Sequence, residues 1–373
     1  MKQGLLYLSL CASLSCSYLT AATPVQQDTT QNNPTATPQR HSAQPARKAP
    51  PKNVVLASDR PNLENGWGII VSGDYLYWQA SQAGLEYTLK SPDVNNRFNK
   101  GSLGKISNIS PNYQSGFRVG ADIELPHDNW DISFAWTSYS NQTHSRRGGG
   151  STFTMTPYWL NAGEGITTSG ASTAKWNLGF NSYDLDLGCA FLPRQHLSLR
   201  PFAGFKAAWI EQDFTVKYHN ISSNNTLAPG SAISMRSRNY NHFQGYGMRV
   251  GMDTKWLLNY GFSFIGNISG ALLASEFYVS QFDRNVDHTP RSHTQEYINR
   301  ITPVVEMFGG LKWETDFDDE GFFLDIHAGW EQQIWFSQNQ MNNFPIPNNR
   351  GYAIKSQGDL TLSGLTVGAT FGF

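Results

Sequence analysis

After residue 66, apolar residues return at every second position in segment after segment, and no run approaches the ~20 apolar residues that a membrane helix needs. In SGFRVGADIEL, Phe117, Val119, Ala121, Ile123 and Leu125 share one parity, and Arg118, Gly120, Asp122 and Glu124 the other. In GYGMRVGMDTKW, Tyr246, Met248, Val250, Met252 and Trp256 oppose Arg249, Asp253 and Lys255. In FFLDIHAGWEQQIWF, Phe322, Leu324, Ile326, Ala328 and Trp330 oppose Asp325, His327 and Glu331. A helix mixes such sets around its axis, whereas a strand places them on opposite faces. The sequence is aromatic-rich (13%), holds 34 glycines and is only 15% charged. That composition fits an all-β transmembrane barrel, whose lipid face is spread over alternate residues. A net charge of -1 supplies no basic excess for nucleic acid.

Ten segments are expected as strands: 66–80, 113–125, 129–141, 174–191, 197–218, 242–257, 261–281, 295–314, 321–338 and 358–373. GLEYTLK (84–90) also reads as a strand and leaves a count of twelve open. Long spacers (81–112, 142–173, 219–241, 282–294, 339–357) alternate with short ones (126–128, 192–196, 258–260, 315–320). This is the pattern of an up-and-down antiparallel barrel with short periplasmic turns and long external loops. Segment 174–191 changes phase, from Trp176, Leu178 and Phe180 to Leu185, Leu187 and Phe191, so a bulge is expected near Asn181–Ser182. The last strand alternates through Leu365, Val367, Ala369, Phe371 and Phe373. An open edge of that kind is a liability in water. It is expected to close the barrel, with Phe371 and Phe373 as the signal for the outer-membrane assembly machinery. Trp67, Trp78, Trp130, Trp136, Trp209, Trp256, Trp313 and Trp330 fall near segment ends, as aromatic girdles do, although packing inside serves some of them equally well.

Residues 1–22 read as a secretory signal: Lys2, an apolar core at Leu5–Leu14 and small residues before Thr23. Cys16 after Ser13-Leu14-Ser15 leaves a lipid-modified start as the alternative. Residues 23–65 are Pro-rich and poor in apolar side chains, hence a disordered periplasmic linker. Its basic residues allow a contact with anionic envelope polymer, but a solvated tether suffices. Downstream of the signal only Cys189 remains, so no internal disulfide is expected there.

The polar parity collects Asp74, Asp122, Glu124, Asp131, Asp184, Asp186, Asp253, Glu306, Glu314, Asp325 and Glu331 against Arg118, Arg200, Lys206, Arg249, Lys255 and Lys312, with His327 beside them. Charges at the membrane midplane avoid lipid, so these residues are expected to line a lumen. If the lumen conducts, its acidic excess predicts a modest cation preference. Ten strands make a narrow tube, and opposed Arg and Asp rows would close it. The function would then pass to the external loops, as in an adhesin or a structural envelope protein. Asp184-Leu185-Asp186 and Asp325-Ile326-His327 match in type the acid pairs of omptin proteases, but a polar lumen supplies such pairs freely. No enzymatic activity, cofactor or metal site is expected, and His288 and His293 lack further ligands. The expected partners are outer-membrane lipid and the assembly machinery, with self-association and a host or surface ligand on the loops left open.

GDYLYWQASQAGLEYTL (73–89), SYDLDLGCAFLPRQHLSLRPFAGFKAAWIEQDF (182–214), NHFQGYGMRVGMDTKWLLNYGFSFIGNISGALLASEF (241–277) and ITPVVEMFGGLKWE (301–314) resemble the pore-forming outer-membrane proteins related to the Legionella and chlamydial major outer membrane proteins. The resemblance touches most of 66–373 and implies a porin-like barrel with general diffusion activity. The chlamydial proteins are cysteine-rich and cross-linked, and a chain left with Cys189 departs from them there.

Overall fold

The computed structural model describes residues 68–91, 104–125, 129–148, 154–160, 166–223, 234–285, 289–317, 323–343, 354–355 and 357–372. The expected signal peptide, the linker, Trp67, His288 and Phe373 lie outside them. The described chain is all-β and its ten long strands close on themselves. They are β1 (Gly68–Gln82), β2 (Tyr113–Glu124), β3 (Trp130–Gly148), β4 (Ala171–Cys189), β5 (Leu197–His219), β6 (Met235–Leu257), β7 (Phe262–Asn285), β8 (Pro290–Asp316), β9 (Phe323–Asn339) and β10 (Gly358–Gly372). Each pairs antiparallel with its chain neighbours, and β10 returns to β1 through Ile70↔Gly372 to Gln82↔Leu360. Phe191–Arg194 adds a short hairpin strand against β5. The barrel therefore has ten strands rather than twelve. Of GLEYTLK, Thr88–Lys90 lies in a short strand (Thr88–Ser91) that joins Lys105–Ser107 and Thr154–Pro157 in a small three-stranded sheet separate from the wall.

The turns at one end are tight. Tyr260 (φ 63°) and Gly261 (φ 78°) are successive left-handed residues, and the Phe262 amide donates to the Asn259 carbonyl, so β6 and β7 join through a turn whose twist suits a hairpin. A side chain at Gly261 would also meet the Glu314 carbonyl.

The outward face explains how the wall meets lipid. On β6, Met248, Val250 and Met252 are exposed between Tyr246 and Trp256. Those ten positions span about 25 Å along the membrane normal for strands tilted ~40°, the height of an apolar band. Its outer edge is a cross-strand aromatic row, Phe117–Trp136–Tyr183–Trp209–Tyr246, with ring centroids 5.2–6.1 Å apart. Its periplasmic edge includes Trp256, Tyr260, Phe262 and Trp313, all exposed. Charging the band is costly: Val250→Arg should lower the unfolding free energy in lipid vesicles by about 2–4 kcal/mol. Ser140→Arg, outward on β3 but above the aromatic row, should change it by less than about 0.5 kcal/mol.

Above that row the wall continues, and its polarity reverses. On β4, Tyr183, Leu185 and Leu187 point outward with Asp184 and Asp186 inward, but farther along Ala174, Trp176, Leu178 and Phe180 are the buried inward set. Pairing runs unbroken from Ala171 to Cys189 on the β3 side, so the expected bulge at Asn181–Ser182 is absent. On β4 the parity does not slip; the medium outside changes from lipid to water, and the apolar face moves from outside to inside. Much of the expected long loops is for the same reason wall: β5 to β8 run 23–27 residues, against the ~9–11 needed to cross lipid.

Candidate functional site: a charged lumen under an aromatic stopper

Period-two parity brings every predicted lumen residue to the inner face of the barrel. In the periplasmic half, Arg200 hydrogen-bonds Asp131, Asp253 (2.7 Å) and Ser133 (3.1 Å). Lys255 pairs with Glu314 at 2.7 Å and Lys312 with Asp325 at 2.8 Å. Asp122 and Glu124 belong to the same level, where a cavity of about 330 Å³ is lined by them together with Asp131, Arg200, Lys312 and His327.

A second layer crosses the barrel higher up. Lys206, 1% exposed, sits 2.8 Å from Asp184 and 2.7 Å from Glu306. Arg249 bridges Asp186 and Glu306. Arg118 pairs with Glu331 at 2.6 Å and Asp74 at 3.4 Å, and His327 lies between Asp74 (3.2 Å) and Asp325 (3.4 Å). Two inward glycines make room for these two charged layers. A side chain at Gly368 would run into Asp74 and the His327 ring, and one at Gly188 into the Arg200 guanidinium.

The layer ends against rings. Lys206 stands 5.7 Å from the Trp335 ring and Arg118 5.7 Å from Trp78, cation over aromatic face. Beyond them Phe180, Phe243 and Trp335 meet edge to face at 5.3 and 6.2 Å, and Phe243 packs on Phe277 at 5.0 Å. Leu76, Trp78, Phe180, Ile210, Leu273 and Trp335 have no accessible surface. Trp78 is thus an inner packing residue, while Trp209, Trp256, Trp313 and Trp330 are exposed outward.

Segments between strands fold into the mouth and complete this core. The Trp159 indole donates to the Glu86 carbonyl (2.6 Å), the Tyr218 hydroxyl to the Tyr87 carbonyl (2.6 Å), and Asn339 to the Ala83 carbonyl (3.0 Å). At the rim Lys355 and Asn342 bind Glu296 and hold its carboxyl below the usual range. Sequence reading did not single out the neutral polar residues that partner the buried indoles. Trp176 donates to Gln212, which donates to Gln82; Trp335 donates to Gln333, and Trp78 to Thr366. The signal available was parity: each shares its strand's inward face.

The two acid pairs of the protease comparison are inside this network, Asp184 and Asp186 on Lys206 and Arg249, Asp325 and His327 on Lys312 and Asp74. Among the described residues no cluster of side chains suits a metal ion. Phe371 is exposed on the outward face of β10.

A closed antiparallel barrel with a lipid-matched apolar belt, two aromatic edges and an ionic interior defines an outer-membrane β-barrel protein. The sequence matches, over residues 59–373, the profile of the family described as Legionella pneumophila major outer membrane protein precursor, and the chain belongs to that family. It resides in the outer membrane. No curated protein matches it. Among solved structures it is similar to the outer membrane protease OmpT from Escherichia coli, at 13% identity and a TM-score of 0.36 over 82% of this chain and 96% of that one. It is also similar to a major outer membrane protein from Thermus thermophilus (10%, 0.28, 83% and 100%) and a Pseudomonas aeruginosa FadL homologue (8%, 0.27, 83% and 90%). Likenesses this distant carry no information on activity.

Proposed function

We propose that this protein is a closed-lumen barrel that serves the envelope as a structural or adhesive surface protein through its external half. The observation that supports this reading is the packed section at Trp335. A fully inaccessible indole is wedged between Phe180 and Phe243, with Lys206 5.7 Å from its ring, so water does not reach these side chains. The wall that carries this core stands about 20 Å or more above the lipid belt, counted as eight residues from Tyr246 to Arg238 at ~3.3 Å each and ~40° tilt.

The competing reading is a passive pore for ions and small hydrophilic solutes with a modest cation preference. Eleven inward carboxylates against six Lys and Arg favour it, as does the periplasmic cavity of about 330 Å³. It requires the aromatic section to be displaced. We assign no enzymatic activity, since both acid pairs are tied to cations beneath the stopper, out of reach of an external polypeptide.

Planar-bilayer recording of refolded protein, with folding checked by heat-resistant β circular dichroism, separates the two. The expected result is no steady current step. Discrete steps whose bi-ionic reversal potential favours cations would overturn the closed barrel and restore the pore.

A further inference from the structure

The outward wall above the membrane carries rows of like charge. Register places Arg146, Thr173, Lys217, Arg236 and Arg284 side by side across five strands. The row two residues nearer the membrane is His144, Lys175, Thr215, Arg238, Phe282 and His293 across six. Strands lie about 4.8 Å apart, so the upper row is about 20 Å wide, and like charges directly opposite destabilise a sheet. Among the described residues none of Lys217, Arg236 and Arg284 is within ion-pair distance of a carboxylate; Asp213 pairs with Arg238 (2.7 Å) and accepts from the Thr215 hydroxyl (3.1 Å). The Arg236 Nε is buried with no hydrogen-bond partner. Burial, with Arg284 and Arg238 alongside, pushes its guanidinium below the usual range.

Aromatic rings adjoin the same rows, although this stretch of wall faces water. Arg238 lies 4.3 Å over the Tyr240 ring and Phe282 meets His293 at 5.7 Å. Apolar rings beside unneutralised cations suit a ligand that has both flat sugar faces and anionic groups at a spacing near that of the strands. A bare phosphate needs no rings. A lipid headgroup lies at the level of Tyr246, about 20 Å below Arg238 on the tilt and rise above.

We propose that the outward wall of β3 to β8 binds an acidic polysaccharide of the surroundings that carries sulfate or phosphate esters. This rests on the reading of the external half as a working surface and names its ligand class. The β-strands provide a fixed ladder of cations, and the chain of the glycan lies across the strands, along the row Lys217–Arg236–Arg284, with sugar rings against Phe282 and Tyr240.

The test uses the full chain in phosphatidylcholine nanodiscs and heparin as the probe. Binding should weaken as salt rises, and uncharged dextran should not bind. The triple variant K217Q/R236Q/R284Q should lose about tenfold or more in affinity. F282S should lose about threefold for heparin and nothing for inorganic polyphosphate, which has no sugar faces. Equal binding by wild type and triple variant, or equal binding of dextran, overturns the proposal. So does a wall that binds lipopolysaccharide micelles through the same three residues while ignoring heparin, since the occupant is then the cell's own lipid. A silent bilayer without heparin binding defeats this inference alone, and a conducting barrel defeats the closed-lumen reading alone.

Discussion

Lys206→Met should lower the unfolding free energy of the refolded barrel by about 3–5 kcal/mol, the cost of leaving buried charges without their partner. Urea titration in lipid vesicles reads it as a shift of midpoint at constant slope. The reason is position. Lys206 is almost inaccessible and is the cation shared by Asp184 and Glu306. Arg249 already serves Asp186 and Glu306 and cannot replace it. The triple change Lys206→Met, Asp184→Leu, Glu306→Leu should recover most of the loss, because removing all members of a buried ionic group leaves no orphan. If Lys206→Met proved neutral, the layer would be hydrated and the lumen open at that level.

Trp335→Ala should cost a further large amount, about 3–5 kcal/mol, through the cavity left in a packed section. The same denaturation assay measures it, and the paired measurement is current. In a closed barrel the variant is destabilised and stays silent, since the ionic layer below it still spans the lumen. In a pore narrowed only by this ring, the variant is close to neutral in stability and its conductance rises. The two outcomes differ on both axes, so Trp335 is a sharper probe of the interior than any single charge.

Much of the barrel was legible because a strand has only two faces. Parity alone put Asp74, Arg118, Asp186, Arg249 and Glu331 on one side of their strands, and the inner face is where they stand. The short spacer 258–260 marked its turn for an equally local reason, the left-handed pair Tyr260–Gly261. What parity does not carry is the identity of the medium. Trp176, Leu178 and Phe180 read as outward if apolar residues always face lipid, and the resulting phase change demands a bulge. The strand runs straight and the water begins. The length of the wall was hidden for the same reason, as Gln142, Arg146 and Arg238 fall in the expected spacers 142–173 and 219–241 and look like loop until their inward neighbours are seen to be packed. Which cation meets which carboxylate was out of reach, since the partners lie far apart in the sequence, as Arg118 and Glu331 do at 213 positions.

The seam between β1 and β10 sets the order in which this molecule is made. Tyr75 and Val367 are 292 positions apart and adjacent in the sheet. Leu76, Trp78 and Ala80 come from one side of that seam, Leu360 and Leu362 from the other, and all belong to the same core. Until the chain ends meet, the rings of the outer half have no shelter, so a nascent chain short of its final strand presents a greasy trough to whatever is near. Pairing of such remote partners is slow, and once made it is correspondingly slow to undo, because no single strand leaves without exposing the whole core. The protein should therefore persist by its rate of opening, with a folding midpoint and an unfolding midpoint that differ on any laboratory timescale.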